Sequence, residues 1–468
     1  MKSASSSATG PGDDASIARD PSAANPRTVF IAQCALATVA FLIFFYSPVI
    51  WISDSIYSML TAQSIIEYGT PDLSAYTIPK FRPAIPAGML AADRDNAYQL
   101  GIINGKVLYF YAHGTSILSV PFVGAMKIFG VSPATSDHVF YFGGEVLIQK
   151  LLAAALMAIL ACIFFRTALL MLNLRWSLVV AIGAAFGTQV WSTASSSMWS
   201  HTWEIFLAGC VVYLMLRAER RGQKRAPLSF AAVAVLLGLM FFVRPTGAVL
   251  IACVTIYVLC ARRGDFIPYA IAGAVCLALY AGYTKTVFGS VIPDYYREPL
   301  AFSTLGIGLE RNLISPSRGL FVYVPAAAFV LYLVARHWKN LQHKPLAIMA
   351  LATIGGLLIV VSSWWLWWAG ICYGPRLLTD AIPWFVLLAI LGCAAIPPER
   401  RSLVSNPALA IGALLLAISI AMNARGALAR ETAQWALMGP IEVHALEWSD
   451  PQFLAGLVPG HPRQAIPR

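Results

Sequence analysis

Long apolar runs separated by short polar segments dominate the chain. A helix that spans a membrane needs about 20 predominantly apolar residues, and many of these runs approach or exceed that length. The predicted spans fall at 28–50, 107–130, 146–172, 177–193, 201–217, 228–243, 246–261, 266–288, 319–335, 345–363, 377–396 and 406–422. The pattern predicts an all-α polytopic membrane protein with roughly 11–12 transmembrane helices.

Polar segments flank this predicted transmembrane domain, which covers 28–422. Residues 1–27 are rich in Ser, Ala, Gly, Pro and Asp and show no apolar period, which predicts a disordered cytoplasmic tail. The first apolar run exceeds the roughly 7–15 residues of a signal-peptide core, so we interpret it as a helix and not as a cleaved leader. The last segment, 423–468, is predicted to be an external tail.

The segment 51–106 is too polar to span a membrane and is predicted to be a long first external loop. Within it, residues 55–67 place apolar side chains on one helical face, and Gly69 follows as a stop signal. The apolar face is formed by Ile56, Met59 and Leu60. We therefore expect a short helix that lies in the membrane interface.

Basic clusters orient the second half of the chain. Loops rich in Lys and Arg stay on the cytoplasmic side, and such clusters lie at 217–225, 262–263, 336–344 and 399–401. The segments predicted to be external are 244–245, 289–318, 364–376 and 423–468. In the first half, counting from Arg27 and counting back from Arg217 place 131–145 on opposite sides, so one span before residue 217 is re-entrant, split or miscounted.

Composition agrees with the membrane interpretation and argues against a nucleic-acid partner. The chain of 468 residues is 58% hydrophobic and only 12% charged, whereas soluble proteins carry about 25% charged residues. The net charge of +11 is explained by basic cytoplasmic loops, and no basic stripe with interleaved aromatic residues suggests nucleic acid. The eight cysteines form no C-x-x-C pair, which argues against a metal site or a disulfide framework.

Asp54 is the first candidate for chemistry, because it follows the first predicted helix directly. A carboxylate at the outer interface could accept the proton of an acceptor hydroxyl that attacks a phosphate-linked sugar. A simpler interpretation makes Asp54 the N-cap of the helix that follows. If Asp54 is only a cap, Asp93 and Asp95 are the next candidates for the base.

Arg376 is the second candidate, at the end of a segment with four tryptophans, W-W-L-W-W-A-G-I-C-Y-G-P-R. The tryptophans suit the aromatic belt of a membrane interface and also a stacking surface for a sugar or an isoprenoid. A guanidinium after the Gly374-Pro375 turn can hold a phosphate through two hydrogen bonds, although a snorkelling arginine is the alternative. Further external cations that could share a phosphate include Arg244 and Arg318.

His113 begins the apolar run after the first loop, and the other histidines show no metal-ligand spacing. His113 and His201 are interpreted as hydrogen-bonded residues at helix ends, with Glu204 close to His201 in the sequence. Gly101-Ile-Ile-Asn-Gly-Lys106 lacks the spacing of a phosphate-binding loop, so an ATP-driven mechanism has no support. We expect neither a cofactor nor a dedicated metal site.

Several motifs, taken in order, resemble the GT-C superfamily of polyprenyl-phosphate-sugar-dependent transferases, which includes protein O-mannosyltransferases and the lipid A aminoarabinose transferase. The resemblance covers about residues 28–460. Its motifs are Ser53-Asp54-Ser55, Gly69-Thr-Pro-Asp-Leu73, Tyr111-Ala-His-Gly-Thr115, R-P-T at 244–246, S-P-S-R-G-L at 315–320, W-x-x-W-W…Y-G-P-R ending at Arg376 and W-S-D-P-Q-F-L-A at 448–455. Two departures are that Asp54 lies between serines where many relatives have paired acids, and that His-Gly-Thr-Ser replaces H-P-P-G.

The resemblance implies a fold and an activity. The fold has a first helix followed by a long external loop with an interfacial helix. The activity is an inverting, one-step transfer from a polyprenyl-phosphate-linked sugar to an envelope glycan, lipid or protein, on the outer face of the bacterial inner membrane. The resemblance implies Asp54 as the base and Arg376 as the phosphate ligand. Further implied site residues are Arg244, Arg318, His113, Tyr373 and Trp368.

Three alternatives stay open. A transporter or flippase of lipid-linked sugars would usually show internal repeats and polar residues near the middle of the membrane; the sequence shows no repeat of fixed period. An oligosaccharide polymerase or ligase would have its large external loop late in the chain. A catalytically inactive membrane protein of the GT-C type is the remaining alternative.

Overall fold

The structure is a computed structural model that describes residues 25–81, 97–222, 225–297, 300–401, 406–438 and 446–458. Most of the predicted cytoplasmic tail lies outside these residues, as do the alternative bases Asp93 and Asp95. The described part of the chain is helical apart from loops and one short hairpin.

The helices of the first half are α1 (Pro26–Tyr46), α2 (Ser58–Tyr68), α3 (Gly114–Ile128), α4 (Phe142–Ala168), α5 (Leu174–Phe186), α6 (Ser200–Arg220), α7 (Pro227–Val243) and α8 (Gly247–Ala261). Those of the second half are α9 (Phe266–Phe288), α10 (Leu305–Ile314), α11 (Leu320–Tyr323), α12 (Pro325–Arg336), α13 (Lys344–Ser362), α14 (Ile382–Ala394), α15 (Pro407–Leu428) and α16 (Arg430–Leu437). Strands β1 (Leu100–Ile103) and β2 (Lys106–Tyr109) form the hairpin.

Six of the described helices are long and apolar enough to cross a membrane. They are α1, α4, the stretch Arg263–Phe288 that contains α9, α13, the stretch Arg376–Ala394 that contains α14, and α15. Five further apolar helices, α3, α5, α7, α8 and α12, are shorter. The chain is therefore an all-α membrane protein, and the larger number of spans stays a prediction.

The predicted span 107–130 is wrong at its start, because residues 106–109 form β2 and the helix begins only at Gly114. Antiparallel pairing of Leu100 with Tyr109 and of Ile103 with Lys106 leaves Asn104 and Gly105 as a two-residue turn. Both turn residues have positive φ, 52° and 74°. This is the backbone that Asn-Gly favours in tight hairpins.

Two other predicted spans are interrupted. The span 319–335 breaks at Val324, where Pro325 begins α12 with no backbone N–H to continue α11. The span 177–193 ends as an α-helix at Phe186, before a π-helical turn at Val190–Ala194. Every residue from 189 to 199 is buried, so this irregular, serine-rich backbone passes through the protein interior.

Helix α2 begins and ends within three residues of the predicted helix, but its environment differs from the prediction. Gly69 ends it with φ 67°, as predicted. Residues 58–64 are buried on all sides, between α3 and α4, and not on one face only. The Glu145 carboxylate of α4 accepts the backbone N–H groups of Met59 and Leu60 at 3.0 and 2.9 Å. A side chain 85 residues away in the chain thus caps this helix.

Helix α6 and the stretch Arg376–Ala394 each carry buried polar side chains. Helix α6 packs against α4, α7 and α14. In Arg376–Ala394, 83% of the 18-residue apolar stretch is buried, the largest share among the six candidate spans. Polar side chains on these two elements therefore meet in the interior.

Candidate functional site

Asp54 and Arg376 form an ion pair at the end of the helical bundle. The Nη1 group of Arg376 lies 3.1 Å from Oδ2 of Asp54. The Asp54 side chain is 32% exposed, whereas that of Arg376 is 7% exposed. The carboxylate can therefore be reached from solvent while the guanidinium is almost enclosed.

The hairpin folds over Asp54 and fixes its position. The hydroxyl of Tyr98 donates to Oδ1 of Asp54 at 3.0 Å, and the hydroxyl of Tyr109 donates to the Asp54 backbone oxygen at 2.5 Å. The Gln99 amide donates to the backbone oxygen of Ser53 at 2.8 Å. Burial, and then the Asp54 charge, raise the pKa of Tyr98 above its ordinary value. The hydroxyl therefore stays protonated and is the hydrogen-bond donor to Asp54.

The alternative that Asp54 is a helix cap is wrong. Tyr57 occupies the N-cap position of α2, and the acceptor for the first turn of that helix is Glu145. The acceptor capacity of the Asp54 carboxylate instead goes to Tyr98, Ser53 and Arg376. Asp54 is thus held by side chains, and none of its carboxylate bonds serves α2.

Arg376 is held in place by an aromatic ring and a backbone carbonyl. Its guanidinium carbon lies 3.9 Å from the ring centre of Trp199, an arrangement that favours a cation. Its Nη2 group donates to the Ala369 oxygen at 2.9 Å. Its Nε group is buried without a hydrogen-bond partner among the described residues. A donor of this kind is available to an incoming anion.

The turn before Arg376 requires glycine. Gly374 has φ 58°, and a Cβ atom there would lie 2.8 Å from the Tyr323 ring. Tyr373, a predicted site residue, is fully buried and donates its hydroxyl to the Met422 backbone oxygen at 2.6 Å. Tyr373 therefore ties the turn to α15.

Arg318 and Arg376 together hold three successive carbonyl groups. Arg318 donates through Nε to the Trp368 oxygen at 2.6 Å and through Nη2 to the Gly370 oxygen at 3.1 Å, and Arg376 takes the oxygen between them. Arg318 also donates to Gln452 at 2.9 Å and is 1% exposed. Its geometry favours positioning of the loop over direct contact with a phosphate. Trp368 is half-buried in the same loop.

A second, more buried cluster surrounds Arg244. Its Nε group lies 2.9 Å from Oε2 of Glu204 and 3.2 Å from Oδ2 of Asp380. The Thr246 hydroxyl lies 3.3 Å from both carboxylates, and Nη1 of Arg244 donates to Ser200 at 2.7 Å. Both carboxylate side chains are 0% exposed.

His201 completes this second cluster. Its Nδ1 atom lies 2.7 Å from Oδ1 of Asp380, and its Nε2 atom is buried without a partner among the described residues. Arg376 and Asp380 lie on one 3-10 helical segment, Arg376–Ala381. Trp199 and His201 lie at the start of α6, so the same two elements hold both clusters side by side.

His113 lies between the hairpin and α9, where it contacts aromatic residues. Its Nε2 atom is 2.8 Å from the Tyr109 backbone oxygen, and its Nδ1 atom is 2.7 Å from the Tyr283 hydroxyl. Because a carbonyl oxygen only accepts, Nε2 carries the proton and Nδ1 accepts from Tyr283. Burial lowers the pKa of His113 to about 4, so the ring is neutral near pH 7.

The chain matches no protein-family model, no curated protein and no solved structure. The resemblance to the GT-C superfamily therefore rests on residues of this chain alone. In the part of the chain that the structure describes, no group of three His, Cys, Asp or Glu residues could hold a metal ion.

Asp54 and Arg376 form the ion pair, and Arg244 lies in the neighbouring buried cluster. Arg318 holds the loop at Trp368–Gly370, and Tyr373 holds the turn before Arg376. Sequence reasoning missed Tyr98, Trp199 and Asp380. The Asn-Gly turn was a signal for the hairpin that brings Tyr98 to Asp54. An acid at the start of an apolar run, as in Leu378-Thr-Asp380, was a signal for Asp380, since charges at membrane depth usually have a role.

Proposed function

We propose that the protein is a membrane glycosyltransferase that moves a sugar from a polyprenyl-phosphate donor to a cell-envelope acceptor on the outer face of the inner membrane. The observation that carries this proposal is the Asp54–Arg376 pair. It combines a reachable carboxylate with an enclosed guanidinium that has an unused donor.

The reaction requires a base and a cation close together. An acceptor hydroxyl gives its proton to the Asp54 carboxylate while its oxygen forms a bond to the anomeric carbon of the sugar. The bond between that carbon and the phosphate oxygen breaks, and polyprenyl phosphate leaves with the additional negative charge. Arg376, on Trp199, offsets that charge. A one-step displacement of this kind inverts the anomeric centre.

The resting ion pair suggests how the donor enters. Asp54 and a phosphate compete for the same face of Arg376, so a bound phosphate displaces the carboxylate from Nη1. The freed carboxylate still accepts the hydrogen bond from Tyr98. It is a better proton acceptor because Arg376 then also interacts with the phosphate. Arg244 lies beside this region as a second cation. The resemblance to the GT-C superfamily and the apolar helices agree with a lipid-linked donor.

A flippase of lipid-linked sugars is the second candidate, favoured by one observation. Glu204, Asp380 and Arg244 form an ionisable cluster in the protein interior, and such groups often mark the pathways of transported ions and substrates. This cluster is compatible with both functions.

Purified protein in proteoliposomes separates the two candidates. Donors are short-chain polyprenyl phosphates that carry different radiolabelled sugars, offered with envelope extracts as acceptors. The proposal predicts release of free polyprenyl phosphate and a labelled acceptor, both lost in Asp54→Asn and kept in the matched control Asp294→Asn, whose side chain is 84% exposed. Movement of intact donor across the bilayer without release would support the flippase.

A further inference from the structure

The charges around Arg244 do not balance. Two fully buried carboxylates, Glu204 and Asp380, share one guanidinium and one hydroxyl, that of Thr246. Uncompensated charge in a low-dielectric interior is costly, and two neighbouring carboxylates relieve it by binding one proton between them. His201, on Oδ1 of Asp380, is the other group of the cluster that can hold this proton.

The charged and titratable groups facing the two carboxylates come from several elements. Arg244 approaches from the connection between α7 and α8, and His201 lies on α6 itself. The charge of Arg376, on the 3-10 segment, interacts electrostatically with His201. Asp54 and Tyr295 interact electrostatically with Arg244. Because Arg244 and Arg376 both belong to the region where a phosphate is proposed to bind, charge placed there is felt by the buried carboxylates.

We propose that Glu204, Asp380 and His201 form a proton-binding site, and that a lipid phosphate at Arg376 and Arg244 is bound together with a proton at this site. The coupling rests on the proposed function, whereas the proton site itself does not. A phosphate anion attracts Arg244 away from the carboxylates and adds negative charge, so the site holds its proton more tightly. The proton comes from bulk water and returns when the anion leaves.

The first test is an infrared titration of the full protein in detergent, without ligand. A carbonyl band of a protonated carboxyl group is expected to disappear as pH rises. Glu204→Gln and Asp380→Asn both remove it, because one remaining carboxylate is neutralised by Arg244 alone. The matched control is Glu219→Gln, at the other end of α6, where the side chain contacts Tyr257, Arg262 and His343. A titration unchanged by both cluster variants would overturn the proton site.

The second test adds farnesyl methyl phosphate, a phosphodiester whose single charge is fixed near neutral pH. The band is expected to persist to higher pH, and the affinity is expected to rise as pH falls, by up to tenfold per pH unit for one linked proton. Glu204→Gln still binds the probe, but without this pH dependence. Thermal unfolding of each variant confirms that it is folded.

The outcomes separate the two proposals. Binding of the phosphodiester with no shift of the band and no pH dependence overturns the coupling and leaves the phosphate site intact. No binding to the wild type at any pH overturns the phosphate site of the proposed function, and the coupling with it. In that case the ligand-free titration still decides whether Glu204 and Asp380 share a proton.

Discussion

Arg376 donates to the Asp54 carboxylate over 3.1 Å, although 322 residues separate them in the chain. The first segment after α1 and the last loop before α14 meet here, closed by the hairpin on one side and by Trp199 on the other. The proposed base and the proposed phosphate ligand, each inferred from its own sequence context, are therefore in direct contact in the structure.

Arg376→Lys is expected to weaken phosphate binding, because lysine cannot donate simultaneously to the Ala369 oxygen and to an anion through a planar fork. The loss is about 1–3 kcal/mol, or roughly 5-fold to 150-fold in Kd. Binding of farnesyl methyl phosphate by calorimetry measures it. Arg297→Lys, at a side chain that is 56% exposed, is the control. Unchanged affinity in Arg376→Lys would contradict the assignment of Arg376 as phosphate ligand.

Glu145→Ala is expected to destabilise the protein, because the N–H groups of Met59 and Leu60 then lose a buried acceptor. We expect a loss of about 2–4 kcal/mol, seen as a lower unfolding temperature in detergent. Glu310→Ala, at an exposed position on α10, should change little. Equal unfolding temperatures for the two variants would show that Glu145 does not cap α2.

The His113 ring makes stability depend on pH. Its pKa of about 4 in the folded protein lies below the ordinary value of 6.5, so the unfolded chain binds a proton more readily. The stability from neutral His113 is present above pH 6.5 and is lost as pH falls towards 4, by about 3 kcal/mol in total. His113→Gln should flatten this part of the curve of unfolding temperature against pH. An identical slope in wild type and variant would contradict the buried neutral ring.

Arg318→Gln should release the loop at Trp368–Gly370, because it removes donors to two carbonyl groups and to Gln452. We expect a loss of about 3 kcal/mol or more, and less than additive effects in the double variant with Gln452→Ala. Tryptophan fluorescence and protease sensitivity report on the loop. Strict additivity of the two variants would indicate that Arg318 and Gln452 act independently.

The helical membrane fold could be predicted from the sequence because apolar runs of span length carry a strong signal. The stop at Gly69 was readable for the same kind of local reason. The break at Val324 had a local signal in Pro325, which cannot continue a helix and which the prediction of one continuous span did not use. The irregular segment 189–199 had no such signal, because tertiary packing decides where that helix ends. The N–H groups at the start of α2 are capped by Glu145, and a local sequence pattern cannot predict an acceptor that far along the chain.

The site was predictable in part. Asp54 and Arg376 stood out because each is a charge placed at the end of an apolar run. Their contact, and the shared cluster of Glu204 and Asp380, depend on which helices become neighbours. Which helices become neighbours follows from the packing of the whole bundle. Sequence analysis therefore identified Asp54, Arg376 and Glu204 one by one and did not identify Asp380.

Incorporation of labelled sugar into the cell envelope, compared between wild type and Asp54→Asn at matched membrane expression, tests the central claim most directly. We expect Asp54→Asn to lose transfer by roughly 10²-fold to 10⁴-fold, since an amide cannot accept the proton of the acceptor hydroxyl. The variant should keep its unfolding temperature within a few degrees of the Asp294→Asn control, because Tyr98 can still donate to the amide oxygen. Full transfer by folded Asp54→Asn would contradict the role of Asp54 as the base.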